Sequence, residues 1–193
     1  MVVLSLISSP FNASRSERTP CLAVLAKKSV KQRFDPDERV LQLIETFRRM
    51  TNECIRIGLA EGKTSLKSLS IASYPKLKTY DVSSAYKLCA ISKAIGILNR
   101  YRKLSREHHV KEPYCSRKSL TTCYGVRVND GKLRMRGGVE IPLNAYVRQF
   151  LSDADLEVRS ATLTTDLISI SVENESIPSM SSECSEWTAT WTM

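Results

Sequence analysis

The sequence predicts an α+β chain, most simply a small β-barrel with a helical module inserted after its first strand. Three observations predict it. A basic, alternating stretch runs up to Phe34, two long helical patterns follow, and after Pro113 the hydrophobic period switches from helical to alternating.

Residues 1–20 are rich in Ser, Pro and Arg and have no sustained period, so they read as a disordered extension outside the fold. Cys21 to Phe34 reads as a strand through Leu22, Val24 and Val30 that turns basic at Lys27, Lys28, Lys31 and Arg33. Asp35-Pro36-Asp37-Glu38 then opens a helix, with an Asp N-cap, Pro at the first helical position and acids facing the positive helix end. Behind it Val40, Leu43, Ile44, Phe47, Cys54 and Ile57 recur at helical spacing, and Gly62 stops the helix. A short helical or irregular piece through Leu66, Leu69 and Ile71 is expected to break at Tyr74-Pro75. The second long helix runs from about Val82 to about Arg106, with Ala85, Leu88, Ile91, Ile95, Leu98 and Tyr101 expected on its buried side.

Asp130-Gly131 is a two-residue hairpin turn. It pairs Val128 with Leu133, Arg127 with Arg134 and Val126 with Met135, so apolar meets apolar. That register gathers Arg127, Lys132, Arg134 and Arg136 on the open face, where like charges destabilise a sheet unless an anion covers them. Gly137-Gly138 reads as a turn or bulge leading to a strand over Val139 to Leu143. A helical turn follows at Tyr146 to Leu151. A last hairpin spans Leu156 to Val172, bends near Thr165-Asp166 and turns Ile168, Ile170 and Val172 to the core.

The formal charge of +9 and pI near 9.4 favour polyanionic partners, because cations that neutralise phosphates release condensed counterions. The positive excess lies upstream of Asn174; beyond it stand Glu175, Glu183 and Glu186 and no Lys or Arg. The cysteines at 21, 54, 89, 115, 123 and 184 contain no C-x-x-C pair, which fits a reducing compartment. The apolar run Val2 to Ile7 lacks a basic start and a cleavage site, and nothing reaches membrane-spanning length, so a cytoplasmic location without membrane contact is expected.

Clustered acids, a nucleophile beside a base and a phosphate-cradling glycine loop are all wanting, so no catalytic centre and no cofactor is expected. Zinc held by His108, His109, Cys115 and Cys123 would need a finger or knuckle spacing that the sequence lacks; helix-end histidines are the simpler reading. On the second long helix Lys93, Gly96, Arg100 and Lys103 follow one another opposite the expected apolar stripe, as either a phosphate-facing row or a solvated face. Tyr74, Tyr80, Tyr86 and Tyr114 lie between basic residues and are either base-stacking platforms or core residues with one wet edge.

Several segments in a fixed order carry a family resemblance. They are the basic strand Lys27 to Phe34, the helix ending Met50-Thr51-Asn52-Glu53-Cys54-Ile55-Arg56, and Tyr74-Pro75-Lys76-Leu77-Lys78 before Ser84-Ala85-Tyr86. Lys93-Ala94-Ile95 leading into Tyr101-Arg102-Lys103 and Ser160-Ala161-Thr162-Leu163-Thr164 before Ile168 to Val172 complete the set. From residue 21 to about 174 the chain resembles the front portion of TnpB-type transposases, the RNA-guided DNA nucleases of small insertion sequences.

The resemblance implies an OB-like β-barrel wedge from 21–34 and 113–174, a helical recognition insert at 35–112, and binding of guide RNA and double-stranded target-adjacent DNA. Lys93, Arg100, Lys103, Arg127, Lys132, Arg134 and Arg136 are the candidate phosphate contacts. In the family a RuvC-like nuclease domain follows, and residues 175–193 depart from it. The codons of Glu186 to Met193, regrouped from the third base, permit Val-Asp-Arg-Asn-Leu-Asp-Asn, which resembles the first RuvC motif. The expectation is an out-of-frame tail and a fragment that binds without cleaving. The alternatives are a nuclease completed by a separately encoded RuvC-like domain, or an unrelated basic adaptor for an acidic protein.

Overall fold

A computed structural model describes residues 24–153 and 156–176; the expected N-terminal extension, the start of the first strand and the expected out-of-frame tail lie outside them. The chain enters on β1 (Val24–Arg33), passes through the helices α1 (Glu38–Ala60), α2 (Leu66–Leu77) and α3 (Ser84–Leu104), and continues into β2 (Leu120–Thr122). A three-strand meander, β3 (Arg127–Asn129), β4 (Lys132–Met135) and β5 (Val139–Pro142), leads to the short helix α4 (Ala145–Phe150) and the closing hairpin β6 (Leu156–Leu163) and β7 (Leu167–Ser176).

The helical insert after the first strand and the α+β class are as expected; the closed barrel is not present among the described residues. The strands form two sheets, β1-β7-β6-β2 and β3-β4-β5. A side chain joins them. Gln32 on β1, 7% exposed, donates from Nε2 to the Pro142 carbonyl at 2.8 Å and accepts from the Asn144 N–H at 3.0 Å. One primary amide supplies both a donor and an acceptor, so Gln32 does the work of a ladder step where backbone pairing stops.

α1 starts two residues later than the sequence suggested. Asp37, not Asp35, is the N-cap and accepts from the Val40 N–H at 2.8 Å, leaving Pro36 just outside the helix. At the far end Lys63 N–H reaches back to the Gly58 carbonyl at 3.0 Å across Gly62 at φ +62°, the closure expected of a helix stop. α2 does not break at Tyr74-Pro75. Pro75 lies in its last turn, and the helix holds past it because Lys78 N–H still finds the Tyr74 carbonyl and Leu77 is fully buried.

α3 is turned relative to the expected stripe. Tyr86, Cys89, Ala90, Ile91, Ala94 and Leu98 are buried, whereas Leu88 is exposed. The small residues Ala90 and Ala94, rather than the larger Leu88 and Ile95, face α1 and α2, since helix axes approach where side chains are short. Gly58 on α1 serves the same approach. A Cβ there would sit 2.3 Å from Leu98 Cδ1 and 3.1 Å from the Lys63 carbonyl.

Phe47, Met50, Leu69, Leu77 and Ile91 in the helices and Leu120, Leu133, Leu163, Ile168 and Ile170 in the strands belong to one continuous core. Burying each such side chain stabilises the fold by about 1.5–3 kcal/mol. Ile168, Ile170 and Val172 point inward as their alternation required. Buried hydroxyls are satisfied locally: Thr51 donates to the Phe47 carbonyl at 2.8 Å and Ser73 to the Leu69 carbonyl at 2.6 Å. Among the described residues no helix is long and apolar enough to cross a membrane.

Candidate nucleic-acid interface

The β3–β4 hairpin has the register the sequence dictates: Arg127 opposite Arg134, Val128 opposite Leu133 and Asn129 opposite Lys132. Asp130 at φ 53° and Gly131 at φ 70° form the turn, a backbone that Asp tolerates and Gly adopts without strain. Leu133 and Met135 are buried beneath, so the intervening cations are forced outward.

The four cations of this face do not behave alike. β5 pairs with β4 across the Gly137-Gly138 turn and sets Glu140 directly opposite Arg134. Glu140 lies 3.1 Å from Arg134 Nε, as an ion pair whose N–H is poorly aligned for a hydrogen bond, and 3.4 Å from Lys132 Nζ. Asp130 adds a second acidic contact to Arg134 at 3.7 Å. The like-charge crowding foreseen from the sequence is therefore relieved from within the sheet. Arg127 and Arg136 are exposed and have no ion pair among the described residues. Arg136 is also held in place: the buried Tyr86 donates to its carbonyl at 2.5 Å. Burial pushes the Tyr86 phenol up to about 12, so it remains a donor throughout the physiological range.

On α3 the expected row divides. Arg100 and Lys103 are exposed, and Gly96 faces open space. Lys93 is half-buried: its ammonium donates to the Ser119 carbonyl and hydroxyl, both at 2.9 Å, and lies 5.3 Å from the centre of the Phe47 ring. Loss of hydration lowers its pKa. Lys93 thus ties α3 to Ser119, just before β2, instead of standing free in solvent like Arg100 and Lys103. The same rotation of α3 that buries Ala94 explains it.

The tyrosines divide as well. Tyr86 is buried, Tyr74 and Tyr80 are half-buried, and Tyr114 is 63% exposed. Tyr114 borders an open groove of about 860 Å³ along α1, together with Arg48, Arg49, Asn52, Arg56 and Tyr80. Asn52 fixes the groove's far wall by accepting from the Cys115 N–H at 2.8 Å and donating to its carbonyl at 3.1 Å. The Arg48 guanidinium lies 5.7 Å from the Tyr114 ring centre, donates to its hydroxyl, and pairs with Glu45 at 2.6 Å. This groove was missed in the sequence, although Arg48, Asn52 and Arg56 at four-residue intervals mark a polar face of α1.

Arg48 beside Glu45 holds that carboxyl down at about 2, against an ordinary value of 4.5. A depressed carboxyl contributes stability that is present above its ordinary value and is lost as pH falls through the folded one. Wild type should therefore exceed Glu45→Gln in urea midpoint at neutral pH, and the gap should close between pH 4.5 and about 2. A gap independent of pH would remove the ion pair as its cause.

His108 and His109 are exposed, Cys115 is buried against α1, and among the described residues no three His, Cys, Asp or Glu side chains are grouped to hold a metal ion. Comparison with protein-family models and with curated proteins found no match to this chain.

Proposed function

We propose that this chain is a nucleic-acid-binding portion of a TnpB-type RNA-guided nuclease, which holds guide RNA and target-adjacent DNA without cleaving either. The observation that carries the reading is the set of exposed cations lacking an acidic partner among the described residues, Arg127 and Arg136 on the hairpin and Arg100 and Lys103 on α3. Exposed, unpaired guanidinium and ammonium groups are free to exchange counterions for phosphates, whereas Lys132 and Arg134 must first give up Glu140. The net charge of +9 supplies the long-range attraction. In this reading the two sheets joined through Gln32 are the counterpart of the family's β-barrel, and the groove beside Tyr114 offers a face for an unpaired base.

The test is binding of the full chain to a labelled single-stranded RNA and to duplex DNA as salt is raised, with polyglutamate as competitor. The expected result is micromolar or tighter RNA binding at about 0.1 M salt, with log K falling linearly against log salt by about 0.7 for each phosphate contact. Polyglutamate should displace the RNA poorly. If it competes as well as unlabelled RNA does, the chain is a basic adaptor for acidic proteins and the nucleic-acid reading is wrong.

A further inference from the structure

Cys89 and Cys123 are 34 positions apart in the sequence, yet their Sγ atoms lie 3.9 Å from one another as free thiols. Cys89 is on the buried face of α3, 8% exposed, with its sulfur directed at the end of β2, 4.0 Å from Thr122 Oγ1. Cys123 directly follows β2 and is exposed. It opens into a hollow of about 430 Å³ shared with Lys28, Arg159 and Ser160. One thiol of the pair can be reached from solvent, and the other waits behind it.

The other described cysteines lack this arrangement. Cys54 is fully buried in α1, where burial pushes its thiol up to about 11. Cys115 is buried too, and its sulfur is turned toward the Arg117 carbonyl at 3.8 Å. Neither has a second sulfur beside it among the described residues. A disulfide needs the sulfurs at about 2.05 Å, so the Cys89–Cys123 gap of 3.9 Å must close by roughly 2 Å. Cys123 lies in the connection between two three-residue strands, β2 and β3, where a side-chain rotation and a small backbone shift cost little.

We propose that Cys89 and Cys123 form an oxidisable dithiol, a modification site for peroxide-class oxidants at which the two residues close into a disulfide. The Cys123 thiolate attacks one peroxide oxygen and the O–O bond breaks. Cys123 becomes a sulfenic acid, and the second oxygen leaves as water after taking up a proton. The Cys89 sulfur then attacks the sulfenic sulfur, the S–O bond breaks, and the departing hydroxyl takes the Cys89 proton and leaves as a second water. Two thiols and one hydrogen peroxide, together with nothing else, give one disulfide and two waters. Burial keeps the Cys89 thiol protonated, which assigns it the second role and Cys123 the first. The product ties α3 covalently to the segment that leads into the β3–β4 hairpin.

The test is peptide mapping of the full chain after brief exposure to equimolar hydrogen peroxide and alkylation of the remaining thiols. Trypsin should release Leu88–Lys93 joined to Ser119–Arg127, lighter by two hydrogens than the separate peptides and split by dithiothreitol. In Cys89→Ser the sulfenic acid on Cys123 should persist long enough to be trapped by dimedone. If that variant fails to fold, the wild-type map decides alone. Peroxide that leaves Cys123 as an unlinked sulfenic or sulfinic acid in the wild type, or joins it to another cysteine, overturns the proposal.

Discussion

Replacing Arg127 and Arg136 together with Ala should weaken RNA binding by about 10–100-fold at 0.1 M salt and reduce the salt slope by about 1.4, the share of two single-strand phosphate contacts. The fold should survive, because both side chains are exposed and neither has an ion pair among the described residues. The opposing substitution sharpens the test. Glu140 neutralises Lys132 and Arg134 at 3.4 and 3.1 Å, so Glu140→Ala should release both and tighten RNA binding by about 2–5-fold. Binding measured by fluorescence anisotropy over a salt series checks both at once. If Arg127→Ala/Arg136→Ala leaves the slope unchanged, or Glu140→Ala weakens binding, this face of the hairpin is not the phosphate contact.

The largest effect on stability is expected at a residue with no part in binding. Gln32→Ala removes both hydrogen bonds between β1 and the end of β5, and returns the Pro142 carbonyl and the Asn144 N–H, on exposed residues, to water. The cost should be about 2 kcal/mol, the net worth of two hydrogen bonds together with the packing of the buried Gln32 side chain. For a chain of 193 residues that lowers the thermal midpoint by roughly 4–8 °C. Gln32→Leu restores most of the volume but none of the hydrogen bonds, so it should be nearly as damaging. A Leu variant as stable as wild type in a thermal scan would mean that packing, not the amide bridge, holds the two sheets together.

What could be foreseen from the sequence was local. Asp130-Gly131 fixes a turn by its own backbone preferences, and the register of the hairpin then follows from Val128 and Leu133 having to share a face. The inward alternation of Ile168, Ile170 and Val172 rests on the same two-residue period. The residues that decide the character of the candidate interface depend on partners distant in the chain. Glu140 could be read as a strand residue, yet that it discharges Arg134 depends on β5 folding back onto β4. Lys93 fits a polar face by composition, but a modest rotation of α3 brings its ammonium to Ser119. The described strands form two sheets where a closed barrel was expected, for the same reason. Every strand but β2 (Leu120–Thr122) was legible, whereas the gap between the two sheets is closed by a Gln side chain whose role no periodicity encodes.

The sheet order β1-β7-β6-β2 has a consequence for synthesis. The first strand pairs with the last, so this sheet cannot assemble until nearly all of the described chain has left the ribosome. The three helices from Glu38 to Leu104, by contrast, pack on near neighbours and are complete well before then. For the interval between, the nascent chain carries a helical cluster followed by unpaired strands, with β1 waiting upstream beside it. Its exposed edge is buffered by Lys28, Lys31 and Arg33, charges that discourage a neighbouring chain from adding itself in place of β7.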